Sequence, residues 1–430
     1  MTDYESIDFF TDKDVLEDPF PYLEYLRAKC PVQPTGHHGV VAVTGVEEAV
    51  AIYRDNDSFS ACNTASGPFL KFPVPFEGND VGEIIERYRD LIPQSNAVVT
   101  MDPPTHTRER ALLMRLITPG RMKENEAFIR SLADQQLDGI VDDGRCELVN
   151  DYAKPYTMLV IADLLGVPET DHQRFREGFG LQAQFPPPGE GTDEPAQADM
   201  NSLSWLYDWF AIYVEERRRE PKSDVLTELA LAKYPDGSTP EVMAVVHQAA
   251  FLFAAGREST SDLLATAMRY LAEYPELQDE LRADHQRITG FIEECLRIDA
   301  PVNVDFRLAK RDTTVAGIQI AAGTPVMILP GAANRDPRRF ESPEKFRVQR
   351  PNAKEHIAFG RGIHTCPGAP LARAECRIMI ERFVDRTRNI RISAKHHGPP
   401  NARHFDYEPA LSRRALHELH IEFHRAESDR

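Results

Sequence analysis

The amino-acid sequence predicts a mainly helical protein with a smaller part built from strands. Apolar residues recur at helical spacing through most of the 430 residues, beginning with the segment 15–30. The segment 240–274 is apolar almost all round, which is typical of a helix buried at the centre of a protein. Short runs of strand-forming residues at 39–44 and 314–329 predict the β part.

Helical patterns follow one another along the first half of the chain, separated by prolines and glycines. Proline cannot donate a backbone hydrogen bond and glycine favours turns, so both residues delimit helices. A proline- and glycine-rich segment at 185–195 separates the last two of these helices and could let them act as a lid, although a simple surface linker fits the pattern equally well. The predicted helices cover 15–30, 46–54, the residues after Pro104, two segments within 124–166, 171–184 and 205–219.

The second half of the chain holds most of the predicted strands. They begin directly after a helix that Pro301 ends, and they continue beyond a glycine-rich loop and its following helix. The predicted elements are the helix 240–274, a helix ending at Pro301, a strand at 302–307, a hairpin at 314–329, a helix from 369 onward and short strands within 387–425.

Composition and charge exclude several classes of function. The net charge of −18 argues against a nucleic-acid-binding protein and against attraction to anionic lipid. No window of about 18 consecutive apolar residues occurs, and the N-terminus is acidic, so we expect a cytosolic protein without a membrane span or signal peptide. The six cysteines are widely spaced, and their spacing indicates neither a disulfide framework nor a zinc cluster.

One of these cysteines lies in a position suited to metal binding. Cys366 lies near the end of the glycine-rich loop 359–368, just before a predicted helix that has Pro370 in its first turn. The free N–H groups and the dipole of a helix N-terminus favour the thiolate form. Gly360 and Gly368 allow the loop to turn tightly and to approach another group closely. The sequence therefore predicts a thiolate metal ligand at Cys366.

The loop resembles the haem-binding loop of the cytochrome P-450 family. Phe359, Gly362, Cys366 and Gly368 match the family spacing Phe-x-x-Gly-x-x-x-Cys-x-Gly. The resemblance implies that Cys366 is the iron ligand of haem b, that Phe359 screens its sulfur, and that His364 reaches a haem propionate. It also implies one cytochrome P-450 domain over residues 1–430, with haem between the helix 240–274 and the helix after the cysteine loop.

Three further basic residues match family positions that bind haem propionates. His106 and Arg110 are four residues apart on a predicted helix and lie on one face, where paired donors suit a carboxylate. Arg307 matches the family arginine on the strand beside the haem. A solvated basic helix face remains the alternative for the first two residues.

The buried helix contains a polar segment that breaks its pattern. Ala255, Gly256 and Glu258 match the family motif Ala/Gly-Gly-x-Asp/Glu-Thr, in which small residues leave room above the iron and the acid and alcohol deliver protons. Ser259 occupies the threonine position, and Thr260 follows it. Serine keeps the hydroxyl that a relay needs, whereas Thr260 lies about 100° further round the helix. We therefore favour Ser259, with Thr260 as the alternative.

Glu294 and Arg297 match the family's Glu-x-x-Arg pair, which has a structural role there. The two residues are three positions apart and can pair on one helix face. On an exposed helix such a pair contributes little stability. Its place in the order of motifs is what supports the resemblance.

The implied reaction is monooxygenation of a small-to-medium apolar compound with dioxygen. Electrons would come from NAD(P)H through a small ferredoxin and its reductase, and basic residues near the cysteine loop could form the docking face: Arg108, Arg115, Arg121, Lys123, Arg361, Arg373 and Arg377. Substrate contacts are expected from Phe69, Phe72, Phe76, Phe251, Ala255, Gly256, Val302, Asn303 and the turn at 408–411, although the three loop phenylalanines fit core packing equally well. A peroxide-driven peroxygenase and a haem sensor or carrier without turnover are the alternatives.

Overall fold

Helices are the predominant secondary structure in the computed structural model, which describes residues 3–173, 204–408 and 410–426. The predicted helix at 171–184 and the segment 185–195 lie almost entirely outside the described residues. The described α-helices are α1 (Lys13–Glu17), α2 (Phe20–Lys29), α3 (Val46–Arg54), α4 (Gly82–Arg87), α5 (Thr105–Leu116), α6 (Pro119–Asp138), α7 (Lys154–Leu164), α8 (Ser204–Arg219), α9 (Val225–Ala230), α10 (Val242–Glu273), α11 (Pro275–Ala283), α12 (Arg287–Ile298), α13 (Pro330–Ala333), α14 (Ala369–Arg386) and α15 (Ala394–His397).

In the described part of the chain, the strands form one larger sheet and three small ones. They are β1 (Val32–Pro34), β2 (Val41–Val43), β3 (Phe59–Ser60), β4 (Arg145–Glu147), β5 (Asp305–Ala309), β6 (Thr313–Val315), β7 (Ile318–Ile320), β8 (Pro325–Ile328), β9 (Thr387–Ile392), β10 (Tyr407–Glu408), β11 (Ala415–Leu416) and β12 (His420–Arg425). The larger sheet has the order β1-β2-β8-β5-β3, with β2 and β8 parallel and the other pairs antiparallel. Strands β4, β12 and β9 form a second sheet, and β6-β7 and β10-β11 are hairpins.

Helix α10 lies at the centre of the main hydrophobic core. It packs against α7, α8, α12 and α14, and side chains such as Phe253 and Leu264 are fully buried. This arrangement confirms the predicted fold class of a mainly helical protein with a smaller β part. No helix in the described ranges is both long enough and apolar enough to cross a membrane.

Three predicted elements differ in detail from the structure. The hairpin expected over 314–329 is the hairpin β6-β7 followed by β8, which pairs with β2 and β5 in the larger sheet. The single helix expected over 15–30 is two helices, because Asp18 and Pro19 separate α1 from α2 and proline cannot continue the hydrogen-bond ladder. The segment 124–166 contains not only helices but also β4 and one π-helical turn, Val149–Ala153, between α6 and α7. Glu147 caps that turn by accepting hydrogen bonds from the N–H groups of Val149 and Asn150.

Candidate active site

The cysteine loop is a tight turn that delivers Cys366 to the start of α14. The backbone N–H of Cys366 donates a hydrogen bond of 2.9 Å to the carbonyl of Phe359, which closes the loop on itself. The Arg373 guanidinium, from the first turns of α14, lies 4.5 Å from the centre of the Phe359 ring. These two contacts fix the loop at both ends through residues of the protein itself.

Gly362 is required by a close backbone contact. Its φ of +73° is in the left-handed region, and a Cβ at this position would lie 2.3 Å from the carbonyl oxygen of Tyr53 in α3. Only glycine allows the cysteine loop to pack this closely on α3. This contact gives a physical reason for the first glycine of the motif Phe-x-x-Gly-x-x-x-Cys-x-Gly.

The thiol of Cys366 is surrounded by protein but opens on one side. The residue is exposed, while burial by the surrounding atoms raises the pKa of its thiol. Hydrogen bonds from the N–H groups of Gly368 and Ala369, together with the charge of Arg110, oppose that rise. Backbone donors aimed at sulfur and an open face are what a thiolate ligand to iron requires.

Four basic side chains converge beside this loop. The rings of His106 and His364 are 4.1 Å apart, Arg110 donates to the Thr365 carbonyl, and the Arg307 guanidinium lies 5.2 Å from the centre of the Tyr53 ring. Among the described residues, neither ring nitrogen of the buried His106 has a hydrogen-bond partner, nor does Nε2 of His364. Burial is the main reason that the pKa of His106 falls to about 4 and that of His364 to about 2, so both rings are neutral.

These side chains fit the propionate end of a haem. Buried polar atoms normally have partners, and unpaired ring nitrogens in one cluster indicate a ligand that accepts hydrogen bonds. Two arginines and two neutral histidines supply the charge and the donors for two carboxylates. The donor set at Cys366 and this cluster thus suit the same cofactor.

The middle of α10 opens on one side although most of the helix is buried. Ala255 is exposed at the midpoint of the helix, and the hydroxyl of Ser259, one turn later, donates 2.8 Å to the Ala255 carbonyl. Thr260 is buried, with 4% of its surface exposed. The hydroxyl beside the open face therefore belongs to Ser259.

The carboxylate of Glu258, the acid of this segment, forms ion pairs with two arginines. Glu258 lies 2.5 Å from Arg257 and 2.8 Å from Arg413, which comes from the β10-β11 connection. Burial alone would raise the pKa of the Glu258 carboxyl, but the two arginines outweigh it and hold the pKa below its ordinary value. Arg413 was absent from the sequence prediction, because an arginine in a polar turn has the pattern of a surface residue.

The residues predicted to contact substrate occupy different surroundings. A Cβ at Gly256 would lie 3.4 Å from Ile161, so this position faces α7 rather than the open side at Ala255. Phe251 packs partly buried against the main core, and Val302 forms an isolated bridge with Arg413. Asn303 is buried, and its N–H donates to the Ser412 carbonyl.

The three loop phenylalanines pack on the sheet side of the molecule. Phe72 and Phe76 lie 4.9 Å apart in a small cluster that includes Leu308. Phe69 contacts the rings of Phe10 and His38 at 5.4 and 5.1 Å. These contacts account for the three rings by packing, which was one of the two roles predicted for them.

Glu294 and Arg297 form a buried ion pair and not a surface pair. Both side chains are 0% exposed, their two hydrogen bonds measure 2.7 and 2.8 Å, and Arg350 adds a bond of 3.0 Å to the same carboxylate. Arg297 also donates to the carbonyls of Asn334 and Pro343. The group ties α12 to the segment before the cysteine loop. Arg350 was not predicted, since nothing in its local pattern distinguishes it from a solvated arginine.

The predicted docking residues divide into two groups. Arg121, Arg373 and Arg377 form ion pairs with Glu228, Glu293 and Glu126, respectively, and Arg361 donates to backbone carbonyls. Arg108, Arg115 and Lys123 are exposed on α5 and α6. The exposed positive charge of this predicted set is therefore concentrated in these last three residues.

Comparisons with known proteins agree with this geometry. A family model described as Cytochrome P450 matches residues 211–388. The cytochrome P450 monooxygenase PikC of Streptomyces venezuelae is 31% identical over 391 residues, which cover 88% of this chain and 86% of PikC. Cytochrome P450 CYP150A6 of Mycobacterium marinum, solved in the substrate-free form, is 52% identical with a TM-score of 0.92 and covers 99% of this chain and 100% of its own. CYP109E1 of Bacillus megaterium, in complex with corticosterone, is 28% identical with a TM-score of 0.77 and covers 95% of this chain and 99% of its own. The extent of these matches, together with a thiolate loop and a propionate cluster that suit haem, shows that the chain belongs to the cytochrome P450 family of haem-thiolate monooxygenases.

Proposed function

We propose that the protein hydroxylates an apolar small molecule, using dioxygen and electrons that a ferredoxin and its NAD(P)H-dependent reductase supply. Haem, when bound at Cys366, supplies the activation of dioxygen and the transfer of one oxygen atom to a C–H bond. The observation that carries the proposal is the Ser259 hydroxyl, which lies beside the exposed Ala255 in the middle of the central helix. A haem carrier has no need of a hydroxyl and an acid at this position.

The first task of the protein is to hold the cofactor in one orientation. Cys366 would provide the thiolate, stabilised by the N–H groups of Gly368 and Ala369. His106, Arg110, Arg307 and His364 would bind the two propionates, which replaces the missing partners of the histidine nitrogens. These residues would hold the cofactor through its iron and through its propionate edge.

The second task is the supply of protons. Each monooxygenation consumes two protons with two electrons, so a donor must stand at the oxygen-binding face. Ser259 can accept a proton on its oxygen and donate its own, and the Ala255 carbonyl orients the hydroxyl at 2.8 Å. Glu258 adjoins it in the chain and can exchange protons with it through water. We assign the relay to Ser259 rather than to the buried Thr260.

The substrate is proposed to be apolar and of about the size of a steroid or a fatty acid. The open side of α10 presents Ala255, and Phe251 lies one turn earlier on the same helix. The Bacillus megaterium neighbour holds corticosterone, which makes a steroid the first compound to test. We expect Val302 and Asn303, on the segment before β5, to contribute to the same pocket.

The electron donor is proposed to dock on the exposed basic residues of α5 and α6. Arg110 links α5 to the cysteine loop through the Thr365 carbonyl, so a partner on α5 would lie close to the thiolate ligand. Arg108, Arg115 and Lys123 offer positive charge there on a protein of net charge −18. A small acidic ferredoxin has the complementary charge.

The first experiment is the carbon monoxide difference spectrum of the reduced, haem-loaded protein. A strongly red-shifted Soret band that is lost in Cys366→Ala would support the proposed ligand. A spectrum typical of histidine ligation would refute it. Shifts of the Soret band on addition of corticosterone or a long-chain fatty acid would then identify compounds that enter the pocket.

A reconstituted reaction separates the proposed function from its alternatives. With NADH, a ferredoxin and its reductase, we expect product to form in proportion to NADH consumed. Product that forms only with hydrogen peroxide would favour a peroxygenase, and the absence of product under both conditions, for every compound that shifts the Soret band, would favour a sensor or carrier.

A further inference from the structure

Arg413 contacts two carboxylates on the same side of α10. Its Nη2 lies 2.8 Å from Oε2 of Glu258, and its Nη1 lies 2.6 Å from Oδ2 of Asp262, one helical turn later. The backbone of Arg413 is fixed by its bridge to Val302. Glu258 therefore shares its cation with a second acid, and we call this group the Arg413 clamp.

The acids of the clamp differ in their surroundings. The Asp262 side chain is 4% exposed, whereas that of Glu258 is 31% exposed and also contacts Arg257. A third carboxylate, Glu408, lies 3.8 Å from Arg413. Glu258 also pairs with Arg257, and Glu408 pairs with Lys154 at 3.1 Å, whereas the ion pair of Asp262 is with the shared Arg413. The most buried acid therefore has the smallest share of the positive charge, and it is the one that keeps a proton.

The balance of charge around Asp262 supports this assignment. Burial is the main cause that raises the pKa of Asp262 to about 7, and Glu258 and Glu408 act in the same direction against Arg413. The pKa of Glu258 is instead lowered. Glu258 is therefore the poorer reservoir, and Asp262 is the acid of the clamp that holds a proton more readily.

Arg413, the cation of the clamp, lines a cavity. A cavity of about 420 Å³ lies between the N-terminal segment and the β10-β11 hairpin, and Glu408 and Arg413 are both among its lining residues. Lys154 lies 3.1 Å from Glu408 at its other side. Water in this cavity would place solvent protons next to the clamp, on the side of α10 where Arg413 approaches.

We propose that Asp262 is the proton reservoir of the active site, that Arg413 is the positioning residue that couples it to Glu258, and that the cavity at Glu408 refills it. This inference rests on the proposed monooxygenase function. In each transfer Asp262 loses one proton to Glu258, Glu258 passes one proton toward Ser259, and the Asp262 carboxylate regains one proton from water in the cavity. The charge of the clamp is thereby unchanged after every transfer.

The test compares Asp262→Asn with Asp299→Asn in the haem-loaded protein. Asp299 is a matched control, because it is 5% exposed and is bound by Arg269 and Arg414 without contacting Glu258. Infrared spectra across pH 5.5 to 8.5 should show a protonated-carboxyl band that disappears near neutral pH. This titrating band should be lost in Asp262→Asn and kept in Asp299→Asn. Glu408→Gln, at the cavity, should keep the band and move its midpoint.

The catalytic readout is NADH-driven dioxygen consumption with saturating ferredoxin. At pH 6.5 the rate of the Asp262→Asn variant should be at least about tenfold below that of the native protein. The native rate should decline as the pH rises, whereas the rate of the variant should not. Asp299→Asn should follow the native profile. An unchanged rate and profile in Asp262→Asn, or an unchanged titrating band, would overturn the inference. The proposed function is tested separately, because every variant must first show the red-shifted carbon monoxide band.

Discussion

Replacing Glu293 by glutamine should weaken the support of the cysteine loop without changing its shape. Glu293 lies on α12 and accepts hydrogen bonds of 2.6 and 3.0 Å from Arg373 on α14, while Nε2 of His356 lies 3.1 Å from it. His356 precedes the loop and Arg373 follows it, and the Arg373 guanidinium covers the ring of Phe359. One carboxylate therefore joins both flanks of the loop that carries Cys366.

The expected loss of stability follows from the pKa of this carboxyl. Burial raises the pKa of Glu293, but His356 and Arg373 outweigh burial and bring it to about 2, from an ordinary value of 4.5. That difference corresponds to about 3 kcal/mol in favour of the folded protein. Because the pKa is depressed, the contribution is complete above about pH 4.5, falls to about half near pH 3 and is lost below pH 2.

Urea unfolding of the haem-loaded protein at pH 7, 5 and 3 measures this contribution. We expect Glu293→Gln to lower the free energy of unfolding by about 3 kcal/mol at pH 7 and by clearly less at pH 3. Glu422→Gln is the control, since its ion pair with Arg391 is one-third to one-half exposed and should contribute at most about 1 kcal/mol. If Glu293→Gln lowers the free energy of unfolding by less than about 1 kcal/mol at pH 7, or lowers it more as the pH falls, the lowered pKa of Glu293 does not stabilise the folded protein as argued.

Three further changes test separate parts of the site. Gly362→Ala should abolish the red-shifted carbon monoxide band, because the new Cβ would lie 2.3 Å from the Tyr53 carbonyl oxygen. Gly317→Ala is the control, since Gly317 has a similar φ and open space around it, and it should lower the free energy of unfolding in urea by only about 1 kcal/mol. Glu375 is buried, and burial raises the pKa of its carboxyl far above the ordinary value. The native protein should therefore gain thermal stability as the pH falls from 8 toward 5, and the Glu375→Gln variant should be more stable than the native protein at pH 8. Ser259→Ala should lower NADH-driven turnover at least about tenfold while Ser259→Thr retains it, and equal rates in both would contradict the relay.

Local patterns predicted the parts of the site that local chemistry dictates. The cysteine loop was predictable because three glycines, a thiol and a helix start lie within ten residues, and each has a reason that involves only its neighbours. Helix α10 was predictable because a helix that is apolar all round has no stable place except the core. The polar segment within it stood out for the same reason.

Long-range pairing accounts for what the sequence did not predict. Arg350 reaches Glu294 across 56 residues, and Arg413 reaches Asp262 across 151 residues. An arginine that will be buried against an acid has the same local pattern as an arginine in solvent, so neither pairing could be predicted. The loop phenylalanines were ambiguous for a related reason, because an apolar ring fits a core and a pocket equally well. The one local sign of the Arg413 clamp was Asp262 itself, an acid four residues after Glu258 in a buried helix.

The polar residues of α10 become intelligible once their partners are known. A buried polar group is costly unless it is paired. In this segment, Glu258, Ser259 and Asp262 each have a hydrogen-bonding partner. Asp262 and Glu258 share Arg413 on the side of the cavity, and Ser259 bonds to the Ala255 carbonyl on the open side. A helix built only for packing would gain stability from apolar residues at all of these positions. These polar groups extend from Arg413, which lines the cavity, to the open side of the helix at Ala255, and the proposed movement of protons across α10 gives each of them a role.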